Sequence, residues 1–388
     1  MTHHIVIGAG LAGAAAAYSL TARGEDVTVV ERHTPANQRG SSHGSARIFR
    51  YAYPDRLYTE LVVRSRSLWD ALEATADTEL VTRTGAIDHG DARHVAQLVE
   101  IFEAVGVEHE ILDATRAAVR WPQFTFGTEV LWHPDAGVID AQTTVETMLD
   151  LARATGRARV LTDWTVAEVA RRSASGFRVI SAMGETIEGD RVIVAAGGWL
   201  PDLLGDLGFP TGFREALPRF EVRQEQAFHM PYRDTGEDGR PATAWPTFIH
   251  KSGEMFTYGL PGGRDAGFAG QKAGFAGQKI AQFNGGRVIG SALDQDGQIT
   301  EEMRARMVDY AKQHLPGLVP EPYAETTCLF TNTPDEDFVI DEVDGLVIVS
   351  ACSGHGAKFA PLLGEFAADL ATGAGDIPER FRVGARRD

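Results

Sequence analysis

Cysteine is scarce in this sequence, and its scarcity excludes two common ways of holding a chain together. The two cysteines, Cys328 and Cys352, cannot form a disulfide framework. They are not spaced as a C-x-x-C pair and no histidine cluster lies beside them, so a structural zinc site is not expected. We predict no metal site in the chain.

Long hydrophobic runs and positive charge are also scarce. The early apolar stretch at residues 5–20 is too short to span a bilayer and is broken by glycines, so a soluble, cytoplasmic protein without a membrane partner is expected. Lys and Arg number 37 against 54 Asp and Glu, a net charge of −17. Because an acidic surface repels phosphate, nucleic acid is excluded as a main partner, and an anionic ligand needs a few local cations.

Apolar residues, in contrast, are plentiful enough for large cores. Of the 388 residues 43% are hydrophobic, which predicts a folded chain of two or three domains or one interleaved pair. The pattern predicts a meander of three strands at residues 166–171, 176–181 and 191–194. Residues 210–290 are rich in glycine, proline and aromatics, which predicts antiparallel strands and loops.

A glycine-rich turn near the N-terminus is the first motif with a chemical meaning. Gly8, Gly10 and Gly13 form G-x-G-x-x-G between an apolar strand at residues 4–7 and an alanine-rich helix. The first glycine allows the tight turn, the second lets backbone approach a pyrophosphate, and the third lets helix and strand pack closely. Glu31, 23 residues after Gly8, can accept hydrogen bonds from ribose hydroxyls. The motif predicts a dinucleotide site without distinguishing NAD from FAD.

Three further segments combine small residues with chemistry-bearing ones. Residues 192–199, VIVAAGGW, form a strand running into small residues, which favours a flavin protein, although an ordinary strand-to-helix turn has the same pattern. Residues 41–50, SSHGSARIFR, include arginines that suit a carboxylate, with a solvated basic loop as the alternative. Residues 353–359, SGHGAKF, predict a glycine turn whose backbone N–H groups face a bound group.

Together these segments resemble the monomeric sarcosine oxidase and N-methyltryptophan oxidase group of D-amino-acid-oxidase-like flavoproteins. The resemblance covers residues 8–365 and is most specific at 41–50, at 353–359 and at 328–341, CLFTNTPDEDFVID. It implies an α/β fold in which a Rossmann-like FAD-binding domain (residues 1–80, 145–212 and 326–388) is interleaved with an antiparallel-sheet α+β substrate domain (residues 81–144 and 213–325).

The resemblance also implies roles for particular residues. Cys328 matches the cysteine that carries a covalent 8α-linked FAD, and Cys352 is interpreted as a packing residue. Arg50 and Lys358 match the two cations that bind the substrate carboxylate. The residues implied to hold FAD are Gly8, Gly10, Leu11, Ala12, Gly13, Glu31, Arg32, Ser41, Ser42, Ala196, Gly197, Trp199, Cys328, Ser353, Gly354, His355, Gly356 and Lys358.

Catalytic roles are implied for positively charged residues. Arg47 and His43 match residues beside the flavin ring, where positive charge stabilises the reduced form. A lysine activates oxygen in this group, and a tandem AGFAGQK repeat at residues 266–272 and 273–279 offers both Lys272 and Lys279. We choose Lys279, because the residues that follow it match better.

Two departures concern the expected substrate pocket, which also includes Tyr258. Phe283 stands where sarcosine-specific enzymes have histidine, and Phe330 stands where tyrosine is common. Both changes make the pocket less polar and leave room for an N-alkyl amino acid bulkier than sarcosine. Sequence therefore predicts a monomeric FAD-dependent oxidase of secondary (N-methyl) amino acids that uses O2. The alternatives are a fructosyl amino acid oxidase, an amine dehydrogenase on the same fold, or a flavin-binding module without turnover.

Overall fold

In the computed structural model the described residues are 2–172, 175–236, 241–253, 255–262 and 277–385. The α-helices within these ranges are α1 (Leu11–Ala22), α2 (Arg56–Ala76), α3 (Val95–Val105), α4 (Ala114–Arg120), α5 (Ala141–Ala154), α6 (Leu200–Leu203), α7 (Thr211–Glu215), α8 (Glu301–His314) and α9 (Ala360–Thr372).

A mixed sheet of six strands, counted over the described ranges, carries the glycine-rich turn. Its order is β20-β21-β13-β1-β2-β9, and every neighbouring pair is parallel except β20 with β21. Helix α1 packs against α5 and α9 beside this sheet. The strands are β1 (His3–Ile7), β2 (Asp26–Val30), β9 (Ala158–Leu161), β13 (Arg191–Val194), β20 (Val339–Val343) and β21 (Leu346–Ser350).

The predicted meander is wrong in its third strand. The strands that pair in it are β10 (Val166–Arg171), β11 (Phe177–Ser181) and β12 (Thr186–Gly189). Strand β13 instead pairs with β1 in parallel, Ile5 facing Val192. Val192, Ile193 and Val194 are all fully buried, and burial on both faces is typical of a strand inside a parallel sheet rather than of a meander.

A second large sheet is almost wholly antiparallel, as the pattern at residues 210–290 predicts. Among described residues its order is β18-β14-β17-β16-β15-β5-β7-β6, and β19 pairs with the other edge of β14. The strands are β5 (Ala86–His89), β6 (Glu110–Leu112), β7 (Val130–His133), β14 (Glu221–Pro231), β15 (Thr247–Lys251), β16 (Phe256–Pro261), β17 (Gly277–Gln282), β18 (Arg287–Ile289) and β19 (Ala324–Asn332).

A small sheet stands beside the two larger ones. It joins β3 (Arg47–Phe49) to β8 (Gly137–Ile139) and β4 (Val81–Arg83), so the basic loop, residues 41–50, ends on a hydrogen-bonded strand. The parallel sheet with its helices and the antiparallel sheet confirm the predicted α/β class. The predicted domain boundaries stay a prediction.

Two features are absent from the described residues. Within those ranges, no helix is both long and apolar enough to cross a membrane. No group of three His, Cys, Asp or Glu side chains stands together there in a metal-binding arrangement.

Candidate active site

The glycine-rich turn is packed so tightly that side chains are excluded. Gly8 has a φ of +103°, and a Cβ there would lie 2.5 Å from the carbonyl oxygen of Ala195. A Cβ on Gly13 would lie 1.9 Å from the carbonyl oxygen of Gly8. Gly10 is the N-cap of α1, and a Cβ there would lie 2.8 Å from Ser42 Oγ. The three glycines therefore present only backbone atoms at the start of α1.

We expect Gly13→Ala to destabilise the protein by about 3 kcal/mol and to reduce its flavin content, because helix and turn must separate to admit a methyl group. Gly205→Ala is the matched control, since a Cβ at Gly205 meets nothing within 4 Å. Thermal unfolding of the two purified variants measures the difference. Equal melting temperatures would contradict the packing role of Gly13.

Glu31 and Ser42 hold the turn from outside. Glu31 Oε2 accepts a hydrogen bond from the backbone N–H of Ala9 at 2.8 Å, and Oε1 accepts one from His33 at 3.0 Å. Ser42 Oγ accepts from the N–H of Leu11 at 3.0 Å. These bonds fix the end of β2 and the basic loop against the start of α1.

A cavity of about 1380 Å³ opens in front of this turn, and we name it the cofactor cavity. Sequence-predicted residues that line it are Gly8, Gly10, Leu11, Ala12, Glu31, Arg32, Ser41, Ser42, Ala196, Gly197, Trp199, Cys328, Gly354 and Gly356. Four predicted FAD-binding residues do not line it: Gly13, Ser353, His355 and Lys358. Gly13 and Ser353 are buried behind it, whereas His355 and Lys358 face the neighbouring cavity.

The cofactor cavity fits a flavin dinucleotide in the donors that line it. It runs from the N–H groups at the start of α1, which suit a pyrophosphate, to Cys328. Trp199 lines it, and the buried Nε1 of this tryptophan has no hydrogen-bond partner among the described residues. A bound ligand would supply that partner.

A second cavity of about 1300 Å³ adjoins the first, and we name it the substrate cavity. Five residues line both: Arg47, Cys328, Phe330, Gly354 and Ala357. The substrate cavity is lined by residues to which sequence assigned a catalytic or substrate-binding role, namely Arg47, Arg50, Tyr258, Lys279, Phe283, Phe330 and Lys358. Folding thus brings together residues that are far apart in the chain.

Strand periodicity explains why Cys328 and Phe330 share this position. Both lie on β19 two residues apart, so they point to the same face of the sheet. Leu329 between them points the other way and packs with Val222, Ala292 and Trp199. Burial raises the pKa of the Cys328 thiol, while the charges of Arg47 and Lys279 work in the opposite direction.

Lys358 is the first donor in a chain of hydrogen bonds that runs through Tyr53 and His355. Its Nζ donates to Tyr53 Oη at 2.9 Å and to the carbonyl oxygen of His355 at 2.6 Å. Burial lowers the pKa of His355 to about 3, so its ring is neutral. His355 Nε2 lies 3.0 Å from the carbonyl oxygen of Glu336 and donates to it, which leaves Nδ1 to accept from Tyr53 at 2.9 Å. Tyr53 is thereby fixed and holds Lys358 in place.

Arg50 and Lys358 are two cations that face the same cavity. Burial, and then the charge of Arg50, lower the pKa of Lys358 well below its ordinary value. The guanidinium of Arg50 lies 4.6 Å from the ring centre of Tyr53 and donates to the carbonyl oxygen of Ala52. Neither cation forms an ion pair with any described residue. A small anion would relieve their mutual repulsion.

Lys279 and Arg47 form a second cationic pair beside Cys328. Lys279 is 7% exposed on β17, and its Nζ lies 3.4 Å from the carbonyl oxygen of Ala46. Arg47 donates to the carbonyl oxygens of Ser41 at 3.0 Å and Ala46 at 3.0 Å, which locks its guanidinium between both cavities. Lys272, in the other copy of the repeat, lies outside the described residues.

His43 and Cys352 differ from their sequence interpretation. His43 is buried and lines neither cavity, and burial lowers its pKa to about 3, so it adds no positive charge at neutral pH. Arg47 supplies the charge expected of this loop. Cys352 does more than pack, because it borders the cofactor cavity, where its Sγ accepts from the N–H of Thr331 at 3.4 Å.

Aromatic side chains form part of the wall of the substrate cavity. Phe283 lies 4.8 Å from Phe256 and 5.8 Å from Phe330, measured between ring centres. Phe256, Tyr258 and Leu260 line the cavity together, because alternate residues of β16 share a face. The wall is apolar, as the two predicted departures from histidine and tyrosine require.

Sequence reasoning missed several residues of this cavity, among them Tyr53, Arg93, Lys251 and Glu336. Arg93 is buried and its Nε donates to the fully buried Asp88 at 2.7 Å. Tyr53 follows Arg50 by three positions, and this short separation from a predicted substrate-binding residue is a local signal that could have identified it. No comparable signal exists for Lys251, which ends β15 beside the parallel strand β5, or for Arg93, which donates to the carbonyl oxygen of Ala52 at 3.0 Å.

Fold and site together define a class of protein: a redox enzyme that sets a bound dinucleotide against a small anion. The chain matches the family described as FAD dependent oxidoreductase over residues 3–370, and it belongs to that family. The protein is therefore FAD-dependent, and the lining of the cofactor cavity fits this dinucleotide.

Similar proteins agree with this assignment. N-methyl-L-tryptophan oxidase of Escherichia coli (strain SMS-3-5 / SECEC) is 33% identical over 382 residues, covering 95% of this chain and 94% of that protein. The structure of NikD, an amino acid oxidase essential for nikkomycin biosynthesis, covers 98% of this chain and 96% of its own at a TM-score of 0.81 and 24% identity. L-proline dehydrogenase from P. horikoshii gives a TM-score of 0.80 at 22% identity and the same coverage. The two structures show a shared fold.

Proposed function

We propose that this protein is an oxidase of secondary, N-methyl amino acids that delivers electrons to O2. The observation that carries the proposal is the substrate cavity, which holds Arg50 and Lys358, an aromatic wall, and Lys279 beside the cofactor cavity. The relatives named N-methyl-L-tryptophan oxidase support a substrate of this type. The products expected are an imine, which water hydrolyses to an amine and an aldehyde, and hydrogen peroxide.

Substrate orientation follows from the two cations that form no ion pair with a described residue. Arg50 and Lys358 bind the carboxylate, because charge-assisted hydrogen bonds in a buried site are strong and directional. Their combined charge also favours loss of a proton from the substrate ammonium, which must be neutral to react. FAD, when bound, accepts a hydride equivalent from the N-methyl carbon and passes the electrons to oxygen.

Substrate size follows from the aromatic wall. Phe256, Phe283 and Phe330 offer apolar surface and no hydrogen bond to the substrate side chain. An aromatic or large aliphatic N-methyl amino acid therefore gains burial that sarcosine does not, at about 25 cal/mol for each Å² of apolar surface.

A peroxide-coupled assay of the purified protein tests the function. N-methyl-L-tryptophan should produce peroxide and bleach the flavin without air, sarcosine should react more slowly, and N-methyltryptamine, which lacks the carboxylate, should be poor. Faster turnover of fructosyl-glycine would instead indicate an Amadori-type oxidase. Bleaching without peroxide would indicate a dehydrogenase, and no bleaching by any amine would indicate a module without turnover.

The flavin attachment is part of the proposal. Cys328 borders both cavities, and Arg47 and Lys279 favour its thiolate, which is the form that bonds to carbon. We expect the wild type to stay yellow after acid precipitation and Cys328→Ser to release all its flavin. Cys352→Ser is the matched control and should keep the colour. Flavin that leaves the wild type in acid would overturn the linkage.

A further inference from the structure

A buried carboxylate lies directly across the sheet from Cys328. In the antiparallel pairing of β14 with β19, Glu225 is the residue opposite Cys328. Opposed residues point to the same face, and their Cβ atoms stand about 4.5–5.5 Å apart. Glu225 is 2% exposed, and its charge acts on both Cys328 and Tyr258.

Glu225 has spare capacity for a proton. Its Oε2 accepts a hydrogen bond from the N–H of Gly286 at 3.2 Å, while its Oε1 is buried without a partner among the described residues. Arg223, two residues earlier in the chain, donates to Glu221 at 2.7 Å and to the carbonyl oxygen of Gly286 at 3.0 Å rather than to Glu225. A buried, unpaired carboxylate is costly, and burial raises the pKa of Glu225 to about 7.

The other titratable groups around Cys328 are poor proton acceptors. Arg47 and Lys279 are cations, which stabilise a thiolate but take no proton. The phenol of Tyr258 and the thiol of Cys352 have raised pKa values and are already protonated. Burial and the charges of Arg47 and Lys279 lower the pKa of His43 to about 3, so its ring resists protonation. Glu225 alone in this group is suited to receive a proton.

We propose that Glu225 accepts the proton of the Cys328 thiol when Cys328 bonds to the flavin. The inference rests on the covalent attachment proposed above. In that reaction the S–H bond and one C–H bond of the flavin 8α-methyl group break, and an S–C bond forms. The two protons and two electrons released are taken by O2, which becomes hydrogen peroxide. One of the two protons passes through Glu225.

Proton transfer to Glu225 has two effects on the reacting sulfur. It leaves Cys328 as a thiolate, and it removes the negative charge of Glu225 that would repel this thiolate. Arg47 and Lys279 then act on the sulfur without opposition. Because Glu225 lines neither cavity, it has no direct contact with substrate, and its contribution is confined to attachment.

The test compares flavin attachment in purified full-length holoproteins. Glu225→Gln should bind a normal amount of flavin, most of it released by acid, because loss of a proton acceptor slows such a step by about a hundredfold or more. Glu225→Asp should restore acid-stable flavin. Glu221→Gln removes a carboxylate four residues earlier on the same face of β14 and should match the wild type.

A pH profile separates proton transfer from packing. Incubated in air between about pH 6 and pH 9, Glu225→Gln should attach its remaining flavin about tenfold faster per pH unit, because the thiol then loses its proton to solvent. Glu225→Asp should level off once its carboxyl is ionised. Mass spectrometry of the Cys328 peptide measures both.

Two outcomes contradict the inference in different ways. Acid-stable flavin in Glu225→Gln at the wild-type level would overturn the role of Glu225 and leave the linkage standing. Release of flavin from the wild type would overturn the linkage itself, while peroxide formation from N-methyl-L-tryptophan would still report the proposed oxidase. If Glu225→Gln binds no flavin, the pH profile of flavin attachment in Glu225→Asp tests the inference instead. A rate that rises with pH without reaching a plateau would overturn the role of the carboxylate.

Discussion

Lys279→Met is expected to slow reoxidation of the reduced protein by oxygen by about 10²–10³-fold and to leave its reduction by substrate nearly unchanged. The ammonium of Lys279 is held in the low-dielectric space beside Cys328, where a fixed charge stabilises negative charge developing on dioxygen far more than it would in water. Methionine fills a similar volume without charge. Stopped-flow absorbance measures both half-reactions, first anaerobically with substrate and then after mixing with oxygen.

Two other lysines serve as controls for that result. Lys312 lies on the surface of α8 beside Asp309, and Lys312→Met should leave both rates unchanged. Lys272→Met tests the other copy of the repeat. Slow reoxidation in Lys272→Met with normal reoxidation in Lys279→Met would show that Lys272, and not Lys279, activates oxygen.

Arg50→Ala and Lys358→Met should each lower kcat/KM for N-methyl amino acids by at least about 30-fold. Removing one partner of a buried, hydrogen-bonded charge pair costs about 2–5 kcal/mol, which corresponds to roughly 30-fold or more. Much of the loss should appear in KM, because the carboxylate is bound before and during the reaction. Steady-state peroxide formation over a range of substrate concentrations measures it.

The controls for the carboxylate pair use both the protein and the substrate. Arg56, an exposed arginine paired with Glu60 at the start of α2, should tolerate Arg56→Ala without effect. N-methyltryptamine, which has no carboxylate, should be equally poor with wild type and with Arg50→Ala. An unchanged KM in both site variants would remove the carboxylate clamp from the mechanism.

Because the pKa of Lys358 is lowered, binding of the substrate carboxylate should depend on pH. Only the protonated ammonium binds a carboxylate, so substrate affinity should be complete below that pKa and should decline as pH rises through it. A bound carboxylate stabilises the ammonium and moves the decline to higher pH in the complex. The decline should disappear from the profile of Lys358→Met.

Local sequence was sufficient for the dinucleotide turn. Gly8, Gly10, Gly13 and Glu31 act within one strand–helix–strand unit, and the contacts of Gly8 with Gly13 and of Ala9 with Glu31 are made inside it. Neighbours along the chain therefore carry most of the information about this feature. The same holds for residues 41–50, where Arg47 bonds to Ser41 and Ala46.

Sequence pattern was not sufficient where the same local pattern is compatible with two different structures. Strand β13 has the composition of either a meander strand or a parallel one, and only its pairing with β1 and β21 resolves the choice. The two AGFAGQK copies are identical, so the choice of Lys279 depended on the residues that follow the repeat. The structure places Lys279 on β17 between β14 and β16, and Lys272 lies outside the described residues.

From its amino acids alone this chain can be recognised as a flavoprotein of the α/β type, because short motifs with fixed spacing encode the turn, the loop and the cysteine. The contacts of Arg93, Lys251 and Glu225 could not be read in that way. Lys251 and Glu225 lie on strands whose partners are more than 80 residues away in the chain, and Arg93 donates to the carbonyl oxygen of Ala52, 41 residues earlier. Register across such distances is set by the burial of entire strand faces, and no local pattern records it.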